Sequence, residues 1–267
     1  MKHSSLLAAA LLGAPVLLGT SAVAPTRGTA VSREARAVAP PAYPFSVGES
    51  FAYSAKLGVL NLGSASMAVT GIDTVRGAEV FRFRFGLEGG TIFFKINSVM
   101  ESWTGTSDFI SRRFHQDSDE NGRVYKRYYE IYPDSGIFRQ ENKPGSHETP
   151  SDALDDAAFF YFIRTTALEV GKSYDYPRYF RKELNPVRVS VLKEESLELP
   201  GGQKVNCLVV QPVVGDQGIF APRADARLWL TNDARRIPVQ IRSKLPFGTI
   251  TLRLTEMKLP DHPAAGT

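Results

Sequence analysis

Three stretches of this sequence gather side chains able to do chemistry. Asp117-Ser118-Asp119-Glu120-Asn121-Gly122 opens like a calcium loop, in which oxygen ligands at alternate positions surround the ion ahead of a turning glycine. Such a loop needs a bidentate glutamate at its twelfth position. Tyr128 stands there, and the flanking runs 109–116 and 123–132 read as strands, not helices. Asn121-Gly122 is also the residue pair of a tight hairpin, which would make the acids a solvated tip. His147-Glu148 begins the zinc pattern H-E-x-x-H, but Ser151 holds the place of the second histidine. Asp152, Asp155 and Asp156 form an acidic trio that the positive end of a helix dipole accounts for without a metal.

Signatures of nucleophiles and cofactors are absent too. The chain contains no G-x-S-x-G elbow, no phosphate-binding G-x-x-x-x-G-K-[ST] and no G-x-G-x-x-G. Beyond the first residues its histidines are His115, His147 and His262, placed in a strand-like run, a loop and the tail. Cys207 is the only cysteine, so no disulfide forms within the chain, and its strand-like setting Val205–Val210 reads as a buried small hydrophobe. No catalytic residue, metal site or cofactor is expected from these residues. Tyr125-Lys126-Arg127-Tyr128-Tyr129 interleaves rings and cations as single-strand binders do, but sheet surface packing explains it better, and no nucleic-acid partner is expected.

The elements around these residues are mostly strands. Phe81-Arg82-Phe83-Arg84-Phe85 alternates with period two, as do Val187–Val191, Ile237–Arg242 and Ile250–Leu254. Successive strand side chains point to opposite faces, so each run has one dry and one wetter face, the mark of antiparallel sheets solvated on one side. Turn residues fall between the runs at Asn121-Gly122, Pro133–Gly136, Pro200–Gly202, Asn232-Asp233 and Pro246–Gly248. About a dozen strands are expected between residues 48 and 257. One segment departs from the pattern. Thr149-Pro150-Ser151-Asp152 offers a helix start, and Leu154, Ala157, Ala158, Tyr161 and Phe162 follow at helical spacing, predicting an amphipathic helix from Thr149 to about Thr165.

A chain of 267 residues with 43% hydrophobic and 22% charged residues is neither disordered nor too small for a substantial core. The formal charge of +4 falls to +2 if Lys2 and Arg27 leave with a leader ending at Ala30, too small an excess for a nucleic-acid face. Met1-Lys2-His3, the apolar run Leu6–Leu18 broken by Pro15, and small residues at Ala22–Ala24 and Gly28–Ala30 have the layout of a secretory signal peptide. Cleavage is expected after Ala30, with Ala24 as the alternative. The expected organisation is a signal peptide at 1–30, a flexible tether at 31–43, one β-rich domain at 44–258 and a disordered tail at 259–267. An exported, periplasmic location follows, with no segment spanning the membrane after leader removal.

Several stretches, taken in order, resemble exported bacterial proteins of the domain-of-unknown-function DUF3108 family. They are Pro44–Glu49 with Tyr53, Leu62–Ala65, Glu101–Trp103 with Arg112–Phe114, Asp152–Leu154 through Arg164-Thr165, Leu168–Tyr174, and Trp229 through Ser243–Gly248. Trp229–Pro238 is more distantly similar to periplasmic lipoprotein carriers of the LolA/LolB kind. These resemblances imply a mainly β protein: a curved antiparallel sheet, or incomplete β-barrel, with one helix over an apolar cavity. The implied function is a non-enzymatic envelope protein that binds a lipid or other apolar ligand, with Phe81, Phe83, Phe85, Phe93, Trp103, Leu154 and Tyr161 as candidate ligand-binding residues. The alternatives are a structural or assembly partner of envelope proteins and, less supported, an enzyme acting on envelope glycans or lipids.

Overall fold

The computed structural model describes residues 42–91, 95–215, 220–245 and 248–260. The leader, nearly all of the tether, most of the tail and Phe93 lie outside them. In chain order the elements are β1 (Ser50–Leu57), β2 (Leu60–Val75), β3 (Ala78–Gly90), β4 (Lys95–Gly105), β5 (Ser111–Glu120), β6 (Arg123–Tyr132), β7 (Ile137–Gln140) and β8 (His147–Glu148). Then come α1 (Asp156–Phe162), β9 (Ser173–Tyr176), β10 (Val187–Glu198), β11 (Lys204–Val213), β12 (Arg227–Thr231), β13 (Pro238–Leu245) and β14 (Gly248–Lys258).

All fourteen strands belong to one sheet, in the order β8 back to β1 and then β14 back to β9. Chain neighbours pair antiparallel throughout, except β8 and β9, and the single non-sequential pairing joins β1 to β14. The sheet curves without closing, so its edges are β8 and β9, of two and four residues. Edges this short expose little unpaired backbone. Two segments cross the gap between them: Leu154 pairs with Tyr179 in an isolated parallel bridge, and the Thr149 hydroxyl donates to the Phe180 carbonyl at 2.7 Å. The fold class expected from the sequence, an incomplete barrel with one helix, is the one observed.

Period-two alternation sets the faces. Phe81, Phe83 and Phe85 of β3 point into the curve, while Arg82 and Arg84 point out and reach Glu101 of β4 at 2.9 and 3.3 Å. Asn121 and Gly122 take positive φ of 55° and 79° between β5 and β6, as the two residues of a hairpin turn must. The motif at Leu62-Gly63 also has a steric reason. A Cβ on Gly63 would lie 2.2 Å from the Glu88 carbonyl oxygen, and one on Gly89 would lie 2.0 Å from that of Leu62. Two strands approach here at a bulge in β2, and only glycine fits.

The helix is shorter than the sequence suggests. It begins after Asp155, whose carboxylate accepts from the amides of Ala157 and Ala158 at 2.9 Å, and it runs into a 3-10 turn at Ile163–Thr165. Thr149 cannot serve as the cap because its hydroxyl is committed to Phe180. The expected stripe of Leu154, Ala157, Ala158 and Tyr161 is buried, and so are Phe159, Phe160 and Phe162 on the other sides. The long strands of the sheet wrap one side of the helix, and β9 covers another, as the contact of Phe162 with Tyr176 shows.

At the end of the helix, Arg164 is wholly buried and forms a fork with Glu49, Nη1 to Oε1 at 2.6 Å and Nη2 to Oε2 at 2.9 Å. Its remaining donors reach the carbonyls of Pro44 and Arg235, and its guanidinium lies 5.5 Å from the rings of Phe45, Phe51 and Tyr161. Removing one partner of such a pair strands a buried charge, at a cost of about 3–5 kcal/mol. Arg164→Met should therefore lower stability in urea titration by about that amount, and Glu49→Gln by less, because an amide still accepts hydrogen bonds from Arg164.

Candidate functional site

Two halves of the concave face differ. Around the last turns of the helix the interior is filled by rings. Phe83 stacks on Tyr161 with centroids 4.0 Å apart and planes at 11°, and Phe45 meets Tyr161 edge-on at 5.1 Å. Phe81 packs edge-on against Phe45 at 5.5 Å. Leu154 is 2% exposed and Tyr161 is 1% exposed, which leaves no room for a ligand at either. Three of the candidate ligand-binding residues, Phe83, Leu154 and Tyr161, are thus core, and Phe81 is half-buried against them.

Toward the other end of the strands the interior opens into a cleft of about 1040 Å³. Its apolar floor comes from Phe85 and Leu87 of β3, Ile96 and Met100 of β4, and Phe114 of β5. Phe160 of the helix and Phe220 form the back, with Phe85 and Phe160 stacked at 5.5 Å and 3°, and Phe160 and Phe220 at 5.7 Å. Tyr179–Leu184 and Val214-Gly215 supply the far wall, polar at Arg181 and Glu183. Gln116, Glu120, Arg127 and Gln140 line the sheet side of the mouth. The register explains the set: Met100, Gln116, Arg127 and Phe85 stand opposite one another across β3 to β6, and so share the concave face. Of the candidates, Phe85 alone lines this cleft.

Trp103 corrects the sequence-based site. It pairs with Arg82 and Arg113, both outward-facing, while its neighbour Ser102 faces in. The indole therefore sits on the convex face, donating from Nε1 to Asp73 at 3.0 Å, with the guanidinium carbons of Arg82 and Arg113 at 5.4 and 5.5 Å from its ring. It is far from a concave ligand by parity alone. No signal in the local sequence marks this, because the inward residues of β4 beside it are polar.

Those polar residues serve the helix cap. Ser102 donates to Asp155 Oδ2 at 2.6 Å and lies 2.7 Å from the Thr104 hydroxyl, while Ser111 accepts from the Asp155 amide at 3.0 Å. Asp155 is 0% exposed, and burial outweighs these hydrogen bonds and raises its pKa from 3.8 to about 7. Asp156, beside the cleft, is raised by burial as well and accepts at 3.0 Å from the Tyr179 hydroxyl. Among the described residues no group of three or more His, Cys, Asp or Glu side chains is placed to hold a metal ion. Cys207 is buried, and desolvation pushes its thiol up to about 11, which makes it unreactive near neutral pH.

A curved, open antiparallel sheet around one helix, with an apolar cleft at one end, defines the class of the protein. Its sequence matches the family described as "Protein of unknown function (DUF3108)" over residues 52–255, and the chain belongs to that family. No curated protein matches it. Among solved structures, a β-barrel-like protein of the DUF1849 domain from Brucella abortus superposes with a TM-score of 0.50 at 9% identity, covering 82% of this chain and all (100%) of that one. That likeness concerns the fold. A "putative lipoprotein" from Parabacteroides distasonis ATCC 8503 covers 81% of this chain and 99% of its own at 10% identity, but with a TM-score of only 0.28. No helix among the described residues is long and apolar enough to cross a membrane.

The Asp155 carboxyl gives a pH test. Its native pKa of about 7 lies above the unfolded value of 3.8, so the folded chain holds a proton that the unfolded chain releases between those values. Its contribution to stability is complete below the unfolded value and is lost as the pH rises through the native one. Asp155→Asn keeps an acceptor for the two amides and removes this titration. Melting temperatures measured from acid to neutral pH should fall less steeply in the variant than in the wild type.

Proposed function

We propose that this protein is an exported, non-enzymatic binding module that takes an apolar molecule such as an acyl chain into the cleft between β3–β6 and the helix. One observation carries the reading: an apolar floor of Phe85, Leu87, Ile96, Met100 and Phe114 stays open in a protein whose core is otherwise filled by stacked rings. Binding sites for small apolar molecules are concave, largely apolar and edged by a few polar groups, and this cleft has that composition. The leader at residues 1–30, the tether at 31–43 and the periplasmic location belong to the same proposal, since a cleft open to the envelope meets lipids there. The one hydroxyl–carboxylate pair among the described cleft residues is Tyr179 with Asp156, whose tyrosine is almost wholly buried against the helix, which favours binding over turnover.

The test uses dansyl-labelled undecanoic acid, titrated into protein recovered from the envelope of the producing cell. Saturable fluorescence enhancement is expected, and Met100→Glu should weaken it at least about tenfold by placing a carboxylate on the apolar floor. Met100 is only half-buried, so this variant should fold normally. Absence of saturable binding by the wild type, or equal binding by the variant, would overturn the reading. Ala158→Asp serves as a control of a different kind. Ala158 is 0% exposed within the filled half, so this change should cost roughly 2 kcal/mol or more of stability.

A further inference from the structure

The strand register places an apolar point beside a group of cations at one end of the sheet. The β1–β2 hairpin turns at Gly58-Val59, where Leu57 pairs with Leu60. Val59 is 95% exposed and Leu60 is 56% exposed, so this tip is the most solvent-exposed apolar position of any large hydrophobic residue described. A hairpin tip normally carries Asn, Asp, Gly or Ser, which makes a valine and a leucine there a cost in water with no partner in the chain to offset it.

Charge surrounds the tip on one side. Lys56 stands opposite Thr251, which stands opposite Arg242, and Lys244 lies one pair further toward the same end of the sheet. Their inward neighbours Ala55, Ile241 and Ser243 are buried, so the three cations face out. Lys95, paired with Gly90 at the end of β3 and β4, is exposed at the same end. None of these four forms an ion pair with a described residue, although Arg and Lys elsewhere on this surface commonly do, as Arg82, Arg84 and Arg188 illustrate. Glu88 of β3 lies two pairs in from Gly90, and Glu120 and Asp119 of β5 stand opposite Ile96 and Asn97, next to Lys95.

From this juxtaposition we infer that the β1–β2 end of the sheet docks on an anionic lipid surface, with Val59 and Leu60 entering the interface and Lys56, Arg242, Lys244 and Lys95 held at the headgroups. The charge pattern selects this partner. Exposed apolar side chains flanked by cations that form no ion pair with a described residue match a surface whose interior is hydrocarbon and whose boundary is negative. A protein partner would need a contiguous apolar patch, and here the tip is two residues wide, with Lys56, Arg242 and Lys244 on its β14–β13 side and the carboxylates of Glu88 and Asp119 set back on its β3–β5 side. The cleft opens at this same end, since Leu87 and Ile96 lie near the ends of their strands and Gly215 lies just past the end of β11. The inference stands without the cleft binding anything.

The test reads the tip directly, so a retained leader cannot mimic it. Cys207 is buried and poorly ionised, so a cysteine introduced by Val59→Cys is the one that reacts with an environment-sensitive nitrobenzoxadiazole label. Gln203→Cys, exposed in the turn at the opposite end, is the control. On vesicles of phosphatidylcholine with phosphatidylglycerol, the label at 59 should shift to the blue and brighten while that at 203 does not. With phosphatidylcholine alone the effect should be small. Reversing Lys56 and Lys244 together to glutamate should weaken vesicle binding by at least about tenfold, given roughly fivefold for each cation at an anionic surface. No shift at 59, equal shifts at both labels, or indifference to lipid charge would each overturn the inference.

Discussion

The buried fork between Arg164 and Glu49 is the constraint on which the arrangement of this protein depends. One guanidinium finds partners for all three of its nitrogens by drawing together three distant pieces of chain: the approach to β1 through Pro44 and Glu49, the end of the helix, and the β12–β13 turn through Arg235. The helix end and the β12–β13 turn lie within the residues that match the family, and Pro44 and Glu49 lie just ahead of them. The charge is tolerable in the interior because its partner is bidentate and three aromatic rings offer it their faces. A helix of seven residues has little stability of its own, so its place is set by this anchor at one end and the Asp155 cap at the other.

With both ends held, the helix divides the concavity unequally. Its anchored end faces the narrow part of the curve, where Tyr161 and the rings of Phe45 and Phe83 close every gap. Phe160, one residue earlier, faces β3 and β4 where these strands continue past it toward Leu87 and Ile96, and one short helix cannot fill that length. The floor there has apolar side chains near the helix and changes to Ser98, Gln116 and Arg127 toward the mouth. Openness at one end and close packing at the other thus follow from strand length set against helix length.

Much of the architecture was legible in alternating residues, because a phenylalanine opposite an arginine identifies a face without knowledge of its neighbours. Phe81, Phe83 and Phe85 were placed on one face for that reason. Trp103 defeated the same reasoning: the inward positions beside it are Ser102 and Thr104, recruited to the Asp155 cap, so the apolar residue of the pair is the outward one. The cleft was hidden in the same way, since its sheet side includes Gln116 and Arg127 on the inward face, where apolar residues would be expected. The start of the helix depended on which of two suitable side chains found a backbone amide. Thr149 was taken by the Phe180 carbonyl, a contact made across 31 residues that no local pattern reports.

The pairing of β1 with β14 has a consequence for how the chain assembles. Each half of the sheet, β1–β8 and β9–β14, is a succession of hairpins between sequence neighbours, closable over short loops. The seam between the halves joins Ser50 to Lys258, the widest separation in the sheet, and it lies at the centre, not at an edge. Local contacts form before distant ones because loop closure costs entropy that grows with length. The two meanders can therefore form independently, and their union at the seam is the late, slow event that brings Glu49 within reach of Arg164. Because the first and last strands are neighbours, the ends of the domain lie side by side, and a chain joined there and reopened between β8 and β9 would keep every strand pairing while turning that slow seam into an ordinary hairpin.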